Sequence, residues 1–149
     1  MNLAALGALF AAVVATPYTG PKTVYILPMA GGLDQYVAQC LTKDHVLQVV
    51  ADPKAAEVIM TDRLGQTFEL EMKQIRADAV KDDKDDKKTS DTAPHVFHSS
   101  RALGTIFLVD AKSRQVLWSG YQKPPRSNSD RDLNRAAEEI ARKISGSSN

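Results

Sequence analysis

From Lys22 onward the apolar positions fall into short blocks whose spacing changes from one to the next. Thr23–Leu27 is a β-branched and aromatic run closed by Pro28, which reads as a buried strand. After Gly31 and Gly32, the residues Leu33, Tyr36, Val37, Cys40 and Leu41 stand at i, i+3, i+4, i+7 and i+8, the stripe of a helix facing a core. Val46–Val50 reads as a second strand. Asp52 before Pro53 supplies an N-cap and a proline at the first helical position, opening a short turn through Ala56, and Val58–Thr61 is a third strand.

Residues 65–79 fit two periods. Phe68, Leu70 and Met72 alternate as in a strand, whereas Phe68, Met72, Ile75 and Ala79 form a helical face. Glu, Met, Lys, Gln and Ala favour the helix. Leu103–Val109 and Gln115–Tyr121, joined across Asp110–Arg114, predict an antiparallel hairpin. Ser129 with Asp132 then resembles a capping box, and Leu133, Ala136, Ala137, Ile140 and Ile144 give the last helix its apolar face, with Gly146 as its stop. The order β-α-β-α-β-α-insert-β-β-α predicts an α/β domain built on a mixed sheet of roughly five strands packed by helices.

Two segments break the pattern. The first 21 residues lack Asp, Glu, Lys and Arg, and Leu3–Ala15 is a continuous apolar run. Its 13 residues would reach only about 20 Å as a helix, short of a hydrocarbon core of about 30 Å. Small residues at Val13 and Ala15 suit cleavage before Thr16, so residues 1–15 read as a signal peptide and 16–149 as one periplasmic or secreted domain with no stable membrane anchor. The second segment, at about 80–94, is an insert expected to be solvated and disordered, because Lys81–Thr92 holds four Lys and five Asp and no apolar residue.

Composition narrows the function classes. Across 149 residues, 19 Lys and Arg oppose 18 Asp and Glu, so no net field draws nucleic acid. One Cys excludes an internal disulfide framework.

The candidate chemistry is sparse. His95 and His98, with His45 or Asp91, have ligand atoms for a divalent metal, but the pair sits in a Ser-rich stretch without a third ligand at motif distance, so no metal site is assigned. Gly31 and Gly32 open a helix where a phosphate could sit, yet they belong to no phosphate-loop motif and Asp34 opposes an anion; a tight turn is the expected role. Cys40 shares the apolar stripe and is expected to be a buried core thiol. Trp118 and Tyr121, three apart on a strand, should point to opposite faces, Trp118 into the core and Tyr121 under a helix. No paired carboxylates, G-x-S-x-G or H-E-x-x-H occur. No catalytic, metal or cofactor residue is therefore named, and an enzyme is not expected.

The segments DPKAAEVIMTD, LGTIFLVDAKSRQVLWSGY and LNRAAEEIARKI, with Asp110 at the hairpin turn and Trp118 beyond it, resemble small exported acidobacterial-type proteins to which no role is assigned. More distantly, they are similar to the periplasmic α/β module shared by the curli secretion channel and the amino-terminal domain of the Tol-Pal propeller protein. That resemblance implies a non-catalytic module for protein–protein contact or assembly in the envelope, its partner an envelope protein or a second copy. The chain shows neither lipobox nor propeller, so the specific functions of those proteins do not carry over. A periplasmic protein that binds a small ligand or metal at the Gly31/Gly32 corner or the His95/His98 segment is the alternative.

Overall fold

The computed structural model describes Gly20, residues 22–81 and residues 104–146, with the backbone alone at 78–81. The expected signal peptide, most of the charged insert, Asp91, His95, His98 and Leu103 lie outside the described residues.

Within them the chain forms β1 (Thr23–Ile26), α1 (Leu33–Lys43), β2 (Gln48–Val49), β3 (Val58–Thr61), α2 (Gln66–Lys81), β4 (Thr105–Asp110), β5 (Val116–Tyr121) and α3 (Asp130–Gly146), with short 3-10 turns at Ala30–Gly32 and Pro53–Ala55. The five strands make one mixed sheet in the order β2-β1-β3-β4-β5. β1 runs parallel to both β2 and β3, while β4 is antiparallel to β3 and to β5. The fold is α/β, as the element order predicts.

Period-two alternation divides each strand between two cores. Val24, Val58, Met60, Ile106 and Leu108 face a cluster made with α1 and α3, where Val37, Leu41, Leu133, Ala137, Ile140 and Ile144 are buried. Leu27, Ile59 and Val109 face the opposite way and meet Phe68 and Met72 of α2. β3 is covered on both faces, which is why all four of its residues are buried. The result is three layers, α1 and α3 on one side of the sheet and α2 on the other. Each fully buried Leu or Ile contributes about 1.5–3 kcal/mol, so α3, with six buried side chains, is a main clamp on the sheet.

Local chemistry accounts for most boundaries. Asp52 caps the Pro53–Ala55 turn by accepting from the Lys54 N–H at 2.8 Å. Ser129 Oγ accepts from the Asp132 N–H at 3.4 Å, and Ser127 donates to the Asp132 carboxylate at 2.7 Å. At the hairpin turn, Asp110 Oδ1 accepts from the N–H groups of Lys112 and Ser113. These bonds hold the Asp110 carboxyl below its ordinary acidity range, the Ser113 N–H most strongly.

Four expectations need adjusting. The second strand shrinks from Val46–Val50 to Gln48–Val49, because Val46 and Leu47 pack against the core from the connection out of α1. The hairpin strands begin later than expected, at Thr105 and Val116. The helix expected to stop at residue 79 continues to Lys81, since Lys is a good helix former and no breaker intervenes. Tyr121 is not covered by a helix: 65% of it is exposed, because α2 lies over β1, β3 and β4 and leaves that face of β5 open.

Candidate functional site

The chain passes from β1 through α1 to β2 on one side, then returns to place β3 on the other side of β1. This reversal is a topological switch point, and in open α/β sheets ligands bind beyond the carboxyl ends of the strands there. Here that end of the sheet gathers the Met29–Gly32 loop, the Asp62–Gly65 connection, Gly104 before β4 and the segment Gln122–Arg126 after β5.

Gly31 and Gly32 have φ of +69° and +77°, the left-handed region that favours glycine. A Cβ on Gly31 would lie 2.6 Å from Asn128 Oδ1, so the corner is packed under the connection to α3. Asp34 Oδ1 accepts the Met29 N–H at 3.0 Å, placing a carboxylate beside the same corner. The two glycines serve the turn.

Beneath this end lies a feature the sequence reading missed. Asp62 and Arg63, at the end of β3, are both buried, with Arg63 Nε donating to Asp62 Oδ1 at 3.1 Å and side chains only 6% and 8% exposed. Thr61 Oγ1 accepts the Arg63 N–H at 3.1 Å and donates to the Arg63 carbonyl at 3.0 Å, fixing the turn that carries the pair. Asp62 Oδ2 and one terminal Arg63 nitrogen have no partner. Asp62 lines a small apolar void with Met29, Leu33, Ile106 and Pro124. Thr-Asp-Arg after a strand reads as a solvated loop, and only the position of that loop at the switch point could have marked it.

A wider cleft of about 440 Å³ adjoins this void, sharing Gln122, Pro124 and Pro125 with it. One wall is the Gln122–Arg126 segment, the other the first half of α3, and Arg131, Asp132, Arg135 and Glu139 line it. Gln122 is buried and donates to Glu139 Oε2 at 3.0 Å. Lys143 Nζ approaches Glu139 Oε1 at 3.0 Å. Gln122 first, then Lys143, draw the Glu139 carboxyl to lower pKa, and the Ser127 hydroxyl does the same for Asp132.

The remaining candidates are structural. Cys40 is buried, and burial pushes its thiol up, with Glu138 and Asp44 adding to the effect, the opposite of an activated nucleophile. His45 is exposed just beyond α1 with φ of +52°. Among the described residues no group of three or more His, Cys, Asp or Glu could hold a metal ion. Trp118 is half-buried against the α1/α3 cluster, its ring lying over Gly120, where a Cβ would come within 2.6 Å of Trp118 Cζ2.

The outer strand β5 is the other distinctive surface. The Gln122 N–H donates to the Gly104 carbonyl, making Gly104 and Gln122 a hydrogen-bonded antiparallel pair. Pair types alternate along such a ladder, so the backbone groups of Gly120 and Trp118 turn toward β4 and those of Ser119 and Tyr121 turn away from it, as far as the register shift after Leu108, where Leu117 is left without an opposite residue and Val116 pairs with Val109. Lys143 Nζ donates to the outward Tyr121 carbonyl at 2.6 Å. The side chains of Leu117 and Tyr121 are 49% and 65% exposed.

Compared with family models, with curated proteins and with solved structures, the chain matches none.

Proposed function

We propose that this chain is an exported, non-catalytic interaction module that holds a protein partner in the cell envelope by adding the partner's extended segment to β5. The observation that carries this reading is the contrast between the two edges of the sheet. Proteins blunt free edges with charge, proline or brevity, since an open edge is a template for another strand. The β2 edge is only two residues long. The β5 edge is six and no charge or proline interrupts Gln115–Gln122; its blunting is confined to the two ends, a register shift at Leu117 and Lys143 on the Tyr121 carbonyl. Its outward backbone groups would supply affinity, and the exposed side chains of Tyr121 and of Leu117 at the register shift would supply specificity. The apolar leader at residues 1–15 and the resemblance to envelope modules support the location.

The test is a photoreactive side chain at Leu117 in the full chain, expressed in its host. A discrete protein adduct there, absent from the same probe at Leu70 and lost on Ser119→Pro, supports the reading. Equal adducts at Leu117 and Leu70, or no adduct at Leu117, contradicts it. A mature protein beginning at Thr16 in an envelope fraction supports export, and an intact Met1 on a cytosolic protein overturns it.

A further inference from the structure

We propose that the cleft between Gln122–Arg126 and α3 binds a small phosphorylated organic anion, a phosphate monoester whose organic group lies against Pro124 and Pro125. This proposal does not rest on the β5 edge, although Gln122 and Lys143 touch both. Six ionisable groups line the cleft: Lys123, Arg126, Arg131, Arg135, Asp132 and Glu139. Of the two carboxylates, Glu139 is paired with Lys143 and bonded by Gln122, while Asp132 accepts from the neutral Ser127 and keeps its charge facing Arg131 and Arg135. Among the described residues, Lys123, Arg126, Arg131 and Arg135 make no ion pair or side-chain hydrogen bond, although Arg131 and Arg135 lie within the field of Asp132. The cleft therefore sets four exposed cations against two carboxylates, a local excess of positive charge.

Their placement suits a compact dianion. Arg131 and Arg135 are one helical turn apart and project from the same face of α3. Lys123 and Arg126 stand on the opposite wall. Guanidinium forks match the tetrahedral oxygens of a phosphate with paired donors, and three of the four cations are arginines. The volume, about 440 Å³, suits a small organic molecule rather than a bare ion. Consecutive prolines give one wall a rigid apolar surface with no N–H to desolvate. The buried Gln122, pinned to Glu139 and Lys143, closes the floor without reorganising.

The test is calorimetric titration of the full chain with phenyl phosphate, inorganic phosphate and phenol at low ionic strength. Saturable binding of phenyl phosphate, with inorganic phosphate about tenfold weaker and phenol without measurable heat, is expected. Arg131→Gln and Arg135→Gln should each weaken phenyl phosphate by about tenfold, the loss of a charge-assisted contact. Arg142→Gln, exposed on the same helix outside the cleft, should leave it unchanged. No saturable binding up to about 10 mM, equal effects of Arg135→Gln and Arg142→Gln, or inorganic phosphate binding as tightly as the ester each overturns the proposal. All of these readouts are unaffected by Ser119→Pro if the site is separate from the edge.

Discussion

Removing either member of the buried Asp62–Arg63 pair should destabilise the fold far more than removing both. Asp62→Ala leaves a guanidinium only 8% exposed without its carboxylate, and Arg63→Met leaves a carboxylate only 6% exposed without its cation. Stripping one partner from a buried pair costs about 3–5 kcal/mol, because the survivor stays desolvated and unpaired. With a urea dependence of about 1.5 kcal/mol per molar for a domain of this size, each single variant should lower the unfolding midpoint by about 2 M or more. The double variant Asp62→Ala/Arg63→Met buries no charge and keeps the arginine stem as a thioether chain, so it should be no less stable than the milder single. The resulting coupling is at least about 3 kcal/mol, at or above the upper end for residues in contact. Urea titrations of the four proteins, followed by Trp118 fluorescence and by helix circular dichroism, measure it. Single losses that add to within about 0.5 kcal/mol would refute the reasoning, since they would mean that neither group depends on the other.

Further outcomes follow from the same geometry. Ile140→Ala, at a position 1% exposed, should cost about 2–5 kcal/mol, whereas Leu70→Ala, at 60% exposure, should stay within about 0.5 kcal/mol; urea midpoints separate the two. Cys40 should react with a thiol reagent far more slowly in the native protein than in denaturant, because burial both shields the thiol and disfavours the thiolate. The carboxyls of Asp110, Asp132 and Glu139 are all lowered in the folded state, so their stabilisation is present above the ordinary values of 3.8 and 4.5 and is lost as pH falls below them. Asp110→Asn should accordingly differ from the parent in urea midpoint near about pH 6, and the difference should shrink as pH falls below 3.8. Gly120→Val should push the Trp118 ring off the strand, read as a red shift of its emission.

The helices were legible because their stripes are long: all five positions assigned to the closing helix face are buried, as are Leu33, Val37, Cys40 and Leu41 of the first. β3 was legible for the opposite reason, as an apolar block whose flanks are polar. Strand β2 was overread because half-buried Val46 and Leu47 look like strand residues while packing from a connection. The site was much less legible. The cleft joins Lys123 and Arg126 to Arg131 and Arg135 across a turn with no periodicity of its own, and nothing local in Thr61-Asp62-Arg63 announces burial. The exposure of Tyr121 depends on how far α2 reaches across the sheet, a tertiary fact that strand alternation does not contain.

Amide hydrogen exchange along β5 tests the open edge most directly. The N–H groups of Trp118 and Gly120, turned toward β4, should be protected to nearly the global stability of the fold, while those of Ser119 and Tyr121 should exchange at rates close to an unstructured chain in the isolated protein. Protection of Ser119 and Tyr121 equal to that of Trp118 and Gly120 in the dilute protein would mean that the edge is already paired, and would contradict the account.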